Sequence, residues 1–163
     1  MKKTIIITLL IVAGLIGLIW WGSKNQKSPV ADSGIKSALT SSEYVYEFGS
    51  ISMKDGDVTK EFTVTNGTDK DITFPTLVTS CMCTKAYFVL PDGKTKGPFG
   101  MPGHGNVPPL NEAIKAGESR IVRVVYDPNA HGPSGVGAID RFVTLTDTTG
   151  SSLKLEIKAV VTP

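Results

Sequence analysis

The sequence predicts an all-β domain, a two-sheet antiparallel sandwich, carried outside the cytoplasmic membrane on one N-terminal transmembrane helix. Three observations predict it. The chain opens on an uncharged apolar run, it continues as short β-type runs separated by Gly, Asp, Asn and Pro, and it shows no amphipathic helical pattern after the opening run.

The opening run comes first. Lys2 and Lys3 precede residues 4–21, which are mostly Ile, Leu, Val, Gly and Trp. At a helical rise of ~1.5 Å per residue this stretch reaches roughly 27 Å, close to the hydrocarbon thickness of a bilayer. It ends in Trp20 and Trp21, residues suited to a membrane–water interface, and no small-x-small cleavage site follows directly. Residues 1–21 therefore read as an uncleaved signal anchor, with cleavage near Ala31 or Ala38 as the alternative. Lys2 and Lys3 favour an inside start and an exported C-terminal part. Residues 22–42, rich in Ser, Lys, Asn and Gln, read as a flexible polar stalk. Residues 43–163 form the expected folded domain.

Within that domain the β runs follow in order. Tyr44–Ile51 is aromatic and β-branched, and Asp55-Gly56 ends it. Val58–Asn66 alternates Phe62 and Val64 with Glu61, Thr63 and Thr65, and Asn66-Gly67 reads as a hairpin turn. Asp71–Val78 carries Pro75, which marks an edge or a bulge. Thr84–Leu90, Ser119–Tyr126 and Ile139–Asp147 come next. Leu153–Val161 is the cleanest strand, with Leu153, Leu155, Ile157, Ala159 and Val161 alternating with Lys154, Glu156 and Lys158. About seven short strands with turn signals between them fit a sandwich of immunoglobulin-like type. Residues 91–117, dense in Pro and Gly, are too long for a hairpin turn and read as a loop that is either functional or disordered.

Charge narrows the function classes. The formal net charge of the chain is +2, yet from Glu43 onward twelve Lys and Arg face fourteen Asp and Glu. The basic excess belongs to the anchor and stalk, so no nucleic-acid-binding face is indicated. Gly132-Pro133-Ser134-Gly135-Val136 misses the last glycine of a nucleophile elbow, and no Gly-rich phosphate loop ends in Lys-Ser or Lys-Thr. Neither a nucleotide nor an enzymatic activity is expected.

Several motifs together resemble the DUF1573 family of bacterial exported domains, related to modules of the ASPM–SPD-2–Hydin group. They are Tyr46-Glu47-Phe48-Gly49-Ser50-Ile51, Val58 through Asn66, Ser80-Cys81-Met82-Cys83-Thr84, and Ala116-Gly117-Glu118-Ser119 followed by Val122–Pro128. The resemblance spans residues 44–161 and implies an immunoglobulin-like fold, with no settled activity. Met82 stands where the family has Gly, and residues 91–115 look like an insertion.

The chemistry-bearing residues are few. Two Cys and two His occur in the chain. Cys81 and Cys83 flank Met82, Met101 and His104 lie in the long loop, and His131 lies in the loop Asp127–Gly137. Thiolate, thioether and imidazole together suit copper, and Cys with His also suits zinc. Loops at one end of a sandwich cluster, so these three loops are expected to converge. The expected ligands are Cys81, Cys83 and His104, with Met101 or His131 as a fourth; taken alone, His131 reads as a polar loop histidine. Two other readings stay open, a Cys81–Cys83 disulfide and free thiols. In an extended chain the two Cα atoms would stand roughly 6.5 Å apart, near the limit for a disulfide, which would favour exchange over stapling. Two functions follow: a membrane-anchored module holding copper or zinc, or a structural module binding an envelope protein partner.

Overall fold

The computed structural model describes residues 37–163. The expected transmembrane helix at residues 4–21 and most of the stalk lie outside the described residues. Among the described residues no helix is long and apolar enough to cross a membrane.

The strands are β1 (Leu39–Ser41), β2 (Val45–Ser52), β3 (Val58–Asn66), β4 (Ile72–Phe74), β5 (Thr76–Thr79), β6 (Thr84–Val89), β7 (Thr95–Phe99), β8 (Glu112–Ile114), β9 (Ser119–Tyr126), β10 (Gly137–Thr146) and β11 (Ser152–Thr162). They form a five-stranded sheet in the order β1-β3-β9-β6-β7, a four-stranded sheet β2-β11-β10-β5, and a small pair β4-β8. The architecture is an all-β sandwich.

Two-residue alternation decides which face of each strand enters the core. On β11, Leu153, Leu155, Ile157, Ala159 and Val161 are buried while Lys154 and Val160 are exposed. Phe62 and Val64 of β3, Ala86 and Phe88 of β6, and Val122, Val124 and Tyr126 of β9 supply the opposing layer. Each fully buried Phe or Val stabilises the fold by about 1.5–3 kcal/mol relative to leaving it exposed.

Four features depart from the expectations. The β2–β11 pair is parallel, so the sandwich is not purely antiparallel. The fold starts before residue 43: Leu39–Ser41 pairs with Val64–Asn66, and the Leu39 side chain is buried, which ends the stalk earlier than its polar composition suggests. Pro75 divides the expected run 71–78 into β4 and β5, which join different sheets. Asn66-Gly67 is not a hairpin turn, because β3 pairs with β1 and β9 rather than with the strand that follows it.

The long stretch 91–117 is also more ordered than a bare loop. It contributes β7 along β6 and β8 along β4, and it buries Phe99, Leu110 and Ile114.

Candidate functional site

β5 belongs to the four-stranded sheet and β6 to the five-stranded one, so residues 80–83 carry the chain across the end of the sandwich. Ser80 is fixed to β10 twice: its N–H donates to Phe142 O at 2.9 Å, and Phe142 N–H donates to its Oγ at 2.9 Å. The chain then turns, with Thr84 N–H donating to Cys81 O at 3.1 Å. Thr79 Oγ1 lies 3.0 Å from the carbonyl oxygens of both Cys81 and Thr84 and clamps the turn from below.

This turn brings the Cα atoms of Cys81 and Cys83 to 5.2 Å, and the two residues form a disulfide. The extended-chain estimate does not apply here, because a turn folds the pair together. The Cα separation falls within the disulfide range without glycine at Met82.

Two loops close around the pair. Asp127 N–H donates to Cys83 O at 2.9 Å, anchoring the loop after β9. Asp127 Oδ1 accepts from Asn129 N–H at 2.7 Å, and Asn129 Nδ2 donates to Met53 O at 2.7 Å. His131 follows, with Nε2 3.3 Å from Cys81 Sγ. The loop after β7 is tied in by Thr79 N–H donating to Gly100 O at 3.1 Å. Its Met101 and His104 line, with Met82 and His131, an open depression of about 380 Å³ beside Cys81.

Three of the expected ligands form a tight group: one ligand atom each from Cys81, Cys83 and His131 lie within 4.8 Å of one another. Met101 and His104 sit in the wall of the same depression, and His104 is not one of that trio. The imidazole against the sulfur is thus His131, whereas His104 was expected there first. Loop sequence gives no means of ranking the two histidines; the anchoring of residues 127–129 does.

Arg141 is the residue that sequence reading missed. It occupies an inward register position of β10, between buried Ile139 and buried Val143. Its Nε donates to Cys83 Sγ at 3.2 Å, and its Nη1 donates to Asp140 O at 2.9 Å. A cation breaking an inward Ile-x-Arg-x-Val-x-Leu alternation was the available signal. Nearby, burial pushes the Tyr126 phenol up; the Arg141 guanidinium works against that rise and the Asp127 carboxylate adds to it.

No family model and no curated protein matches the chain. Solved structures do. A protein of unknown function from Porphyromonas gingivalis W83 superposes with a TM-score of 0.53 at 14% identity, over 82% of this chain and 51% of that one. A family 123 glycoside hydrolase from Clostridium perfringens gives a TM-score of 0.51 at 9% identity, over 73% of this chain and 23% of that one. An ASH/PapD-like domain of human CEP192 gives 0.45 at 11% identity, over 78% of this chain and 87% of that one. The chain spans about half the length of the Porphyromonas protein. At these identities the likeness is one of fold alone.

Proposed function

We propose that this chain is an exported, membrane-anchored immunoglobulin-like module of DUF1573 type whose loop end holds a soft metal, copper(I) before zinc. The observation that carries the metal reading is the closeness of the ligand atoms of Cys81, Cys83 and His131, within 4.8 Å of one another. Two thiolates and an imidazole suit a soft, low-coordinate ion, and thioether favours copper over zinc. Met101 and His104, in the wall of the same depression, supply the outer donors. Thiolates must be free to ligate, so the metal is held by the reduced pair and not by the disulfide.

The strand order supports the immunoglobulin-like part. Seven strands, β2, β3, β5, β6, β9, β10 and β11, divide as β2-β11-β10-β5 and β3-β9-β6. This is the arrangement of the seven-strand immunoglobulin sandwich with its first strand moved onto the last one. The apolar run at residues 4–21, with Lys2 and Lys3 before it, supports anchoring in the cytoplasmic membrane with residues 43–163 outside.

A second reading is favoured by the disulfide itself. In it the module binds an envelope protein partner, and the cysteines remain oxidised.

One experiment separates the two. The full chain, solubilised in mild detergent and purified under reducing, copper-supplemented conditions, is analysed for metal and for thiols open to alkylation. The metal reading expects near-stoichiometric copper with both thiols protected, and loss of that copper in the Cys81→Ser/Cys83→Ser variant. Undiminished copper in the variant sinks it, as does a metal-free wild type with two reactive thiols.

A further inference from the structure

The two sulfurs of the one disulfide stand in unlike surroundings. Cys83 is only 2% exposed, and its Sγ receives Arg141 Nε at 3.2 Å and lies 3.7 Å from Thr84 Oγ1. Cys81 is half-buried at the edge of the open depression, and its Sγ accepts from the Cys83 N–H at 3.3 Å and lies 3.3 Å from His131 Nε2. Among the described residues no carboxylate forms an ion pair with Arg141. Its charge is therefore directed at the sulfur and at one backbone carbonyl.

In thiol–disulfide exchange a thiolate attacks one sulfur and expels the other as a thiolate, so access to the first and stabilisation of the second set the direction. Cys81 is the less buried of the two and borders the depression, and the sulfur beside a permanent cation is Cys83. Charge-assisted hydrogen bonds from a guanidinium are about twice as strong as neutral ones, which favours Cys83 as the departing group.

We propose that Cys81–Cys83 is a directional thiol–disulfide exchange site, in which an incoming thiolate attacks Cys81 and Cys83 leaves as a thiolate held by Arg141. The first step forms a bond between the incoming sulfur and Cys81 Sγ and breaks the Cys81–Cys83 bond, whose electron pair stays on Cys83 Sγ. A second thiolate of the same class then attacks the incoming group's sulfur. That releases Cys81 as a thiolate and forms a disulfide between the two reductant thiols. The protein gains two electrons, and the two reductant thiols lose two. The reductant class is a thiol, from a small molecule or from a protein dithiol. This inference deepens the proposed function, since reduction opens the metal site, and it rests on the cysteines being a reducible pair rather than on metal binding.

The test uses the oxidised full chain in detergent. It is pulsed with limiting glutathione, quenched rapidly in acid and alkylated, and the adduct is located by tandem mass spectrometry. Glutathione on Cys81 with alkylated Cys83 is expected. Adduct on Cys83, an even division, or no reaction overturns the proposal. Arg141→Gln should slow the bimolecular reduction on the order of tenfold, with partial rescue by Arg141→Lys. An unchanged rate in a folded Arg141→Gln protein also overturns it. Parallel runs with glutathione and with reduced thioredoxin tell the sources apart, the faster one naming the reductant. Loss of copper binding with the adduct still on Cys81 sinks the metal reading alone. Adduct on Cys83 with copper binding intact sinks this one alone.

Discussion

At the end of the sandwich far from the cysteines, the Asn66 and Asp147 side chains bond to backbone and hydroxyl groups that fix the loops, whereas at the cysteine end sulfur and imidazole groups line an open depression. Asn66, fully buried, donates from Nδ2 to Lys70 O and Ile114 O at 2.8 Å each, and its Oδ1 accepts from Thr68 N–H at 3.1 Å and Thr68 Oγ1 at 2.7 Å. That is the whole hydrogen-bonding capacity of a carboxamide. Asp147 Oδ1 accepts from Thr149 N–H at 2.8 Å, Thr149 Oγ1 at 2.6 Å and Ser151 N–H at 3.0 Å. Asn66 thus has no hydrogen-bonding capacity left for a ligand. At the other end the backbone is held just as firmly, by Ser80, Thr79 and Asp127, but the side chains of Met82, Met101, His104 and His131 are left facing the depression. At one end Asn66 and Asp147 serve stability, and at the other the soft donors stand on a fixed frame.

The largest loss of stability is expected from Asn66→Ala. The change strips partners from the Lys70 and Ile114 carbonyls and from Thr68. Leaving buried polar groups unsatisfied in this way should cost about 2–4 kcal/mol, read from the denaturant midpoint. The site at the far end should keep its reactivity toward thiols and metal in whatever fraction stays folded. A loss below about 0.5 kcal/mol, the ordinary range of a surface change, would break the claim that this end is the structural one.

A smaller effect is expected from Cys81→Ser/Cys83→Ser under oxidising conditions. The disulfide closes a loop of only two residues' separation. The chain-entropy relation then gives about 1.6 kcal/mol, against about 3 for a fifteen-residue loop. The turn keeps its backbone bond from Thr84 to Cys81 and its Thr79 clamp without the sulfurs. Equilibrium unfolding checks this; a loss of 4 kcal/mol or more would make the pair a staple and remove the contrast between the ends.

These two ends were not equally legible in the sequence. Alternation gave β3, β9 and β11 almost residue for residue, because one face of each is buried and one is not. The convergence of three loops followed from the sandwich class, since strands that end together leave their loops together. Asn66 was misread: Asn-Gly is the strongest local hairpin signal, but here the side chain ties residues 66–70 to Ile114, a long-range partner that no local pattern reveals. β7 and β8 were hidden for a similar reason. Short runs interrupted by Gly and Pro carry little periodicity, and what fixes them is pairing with β6 and β4. The loop that carries His131 is tied down in part by Asn129 Nδ2 donating to Met53 O, a partner 76 residues away that no local pattern reveals. Arg141 alone left a readable trace, as a charge at an inward position of β10.

The smallest expected effect on stability is that of His131→Ala, and its smallness is informative. The residue is exposed, and its side chain makes no capping bond to the short 3₁₀ turn Gly132–Gly135 that it precedes. The loop is held by backbone and neighbours instead: Gly132 N–H donates to Asn129 O at 2.9 Å, and Ser134 Oγ donates to His131 O at 2.6 Å. Removal of the imidazole should therefore move the unfolding free energy by no more than about 0.5 kcal/mol. Copper retention by the reduced protein, measured by competition with a chelator, should fall by at least the roughly 10–100-fold that losing even a supporting group around a metal costs. If stability dropped while retention held, the imidazole would belong with Asn66 and Asp147 as a loop-fixing group.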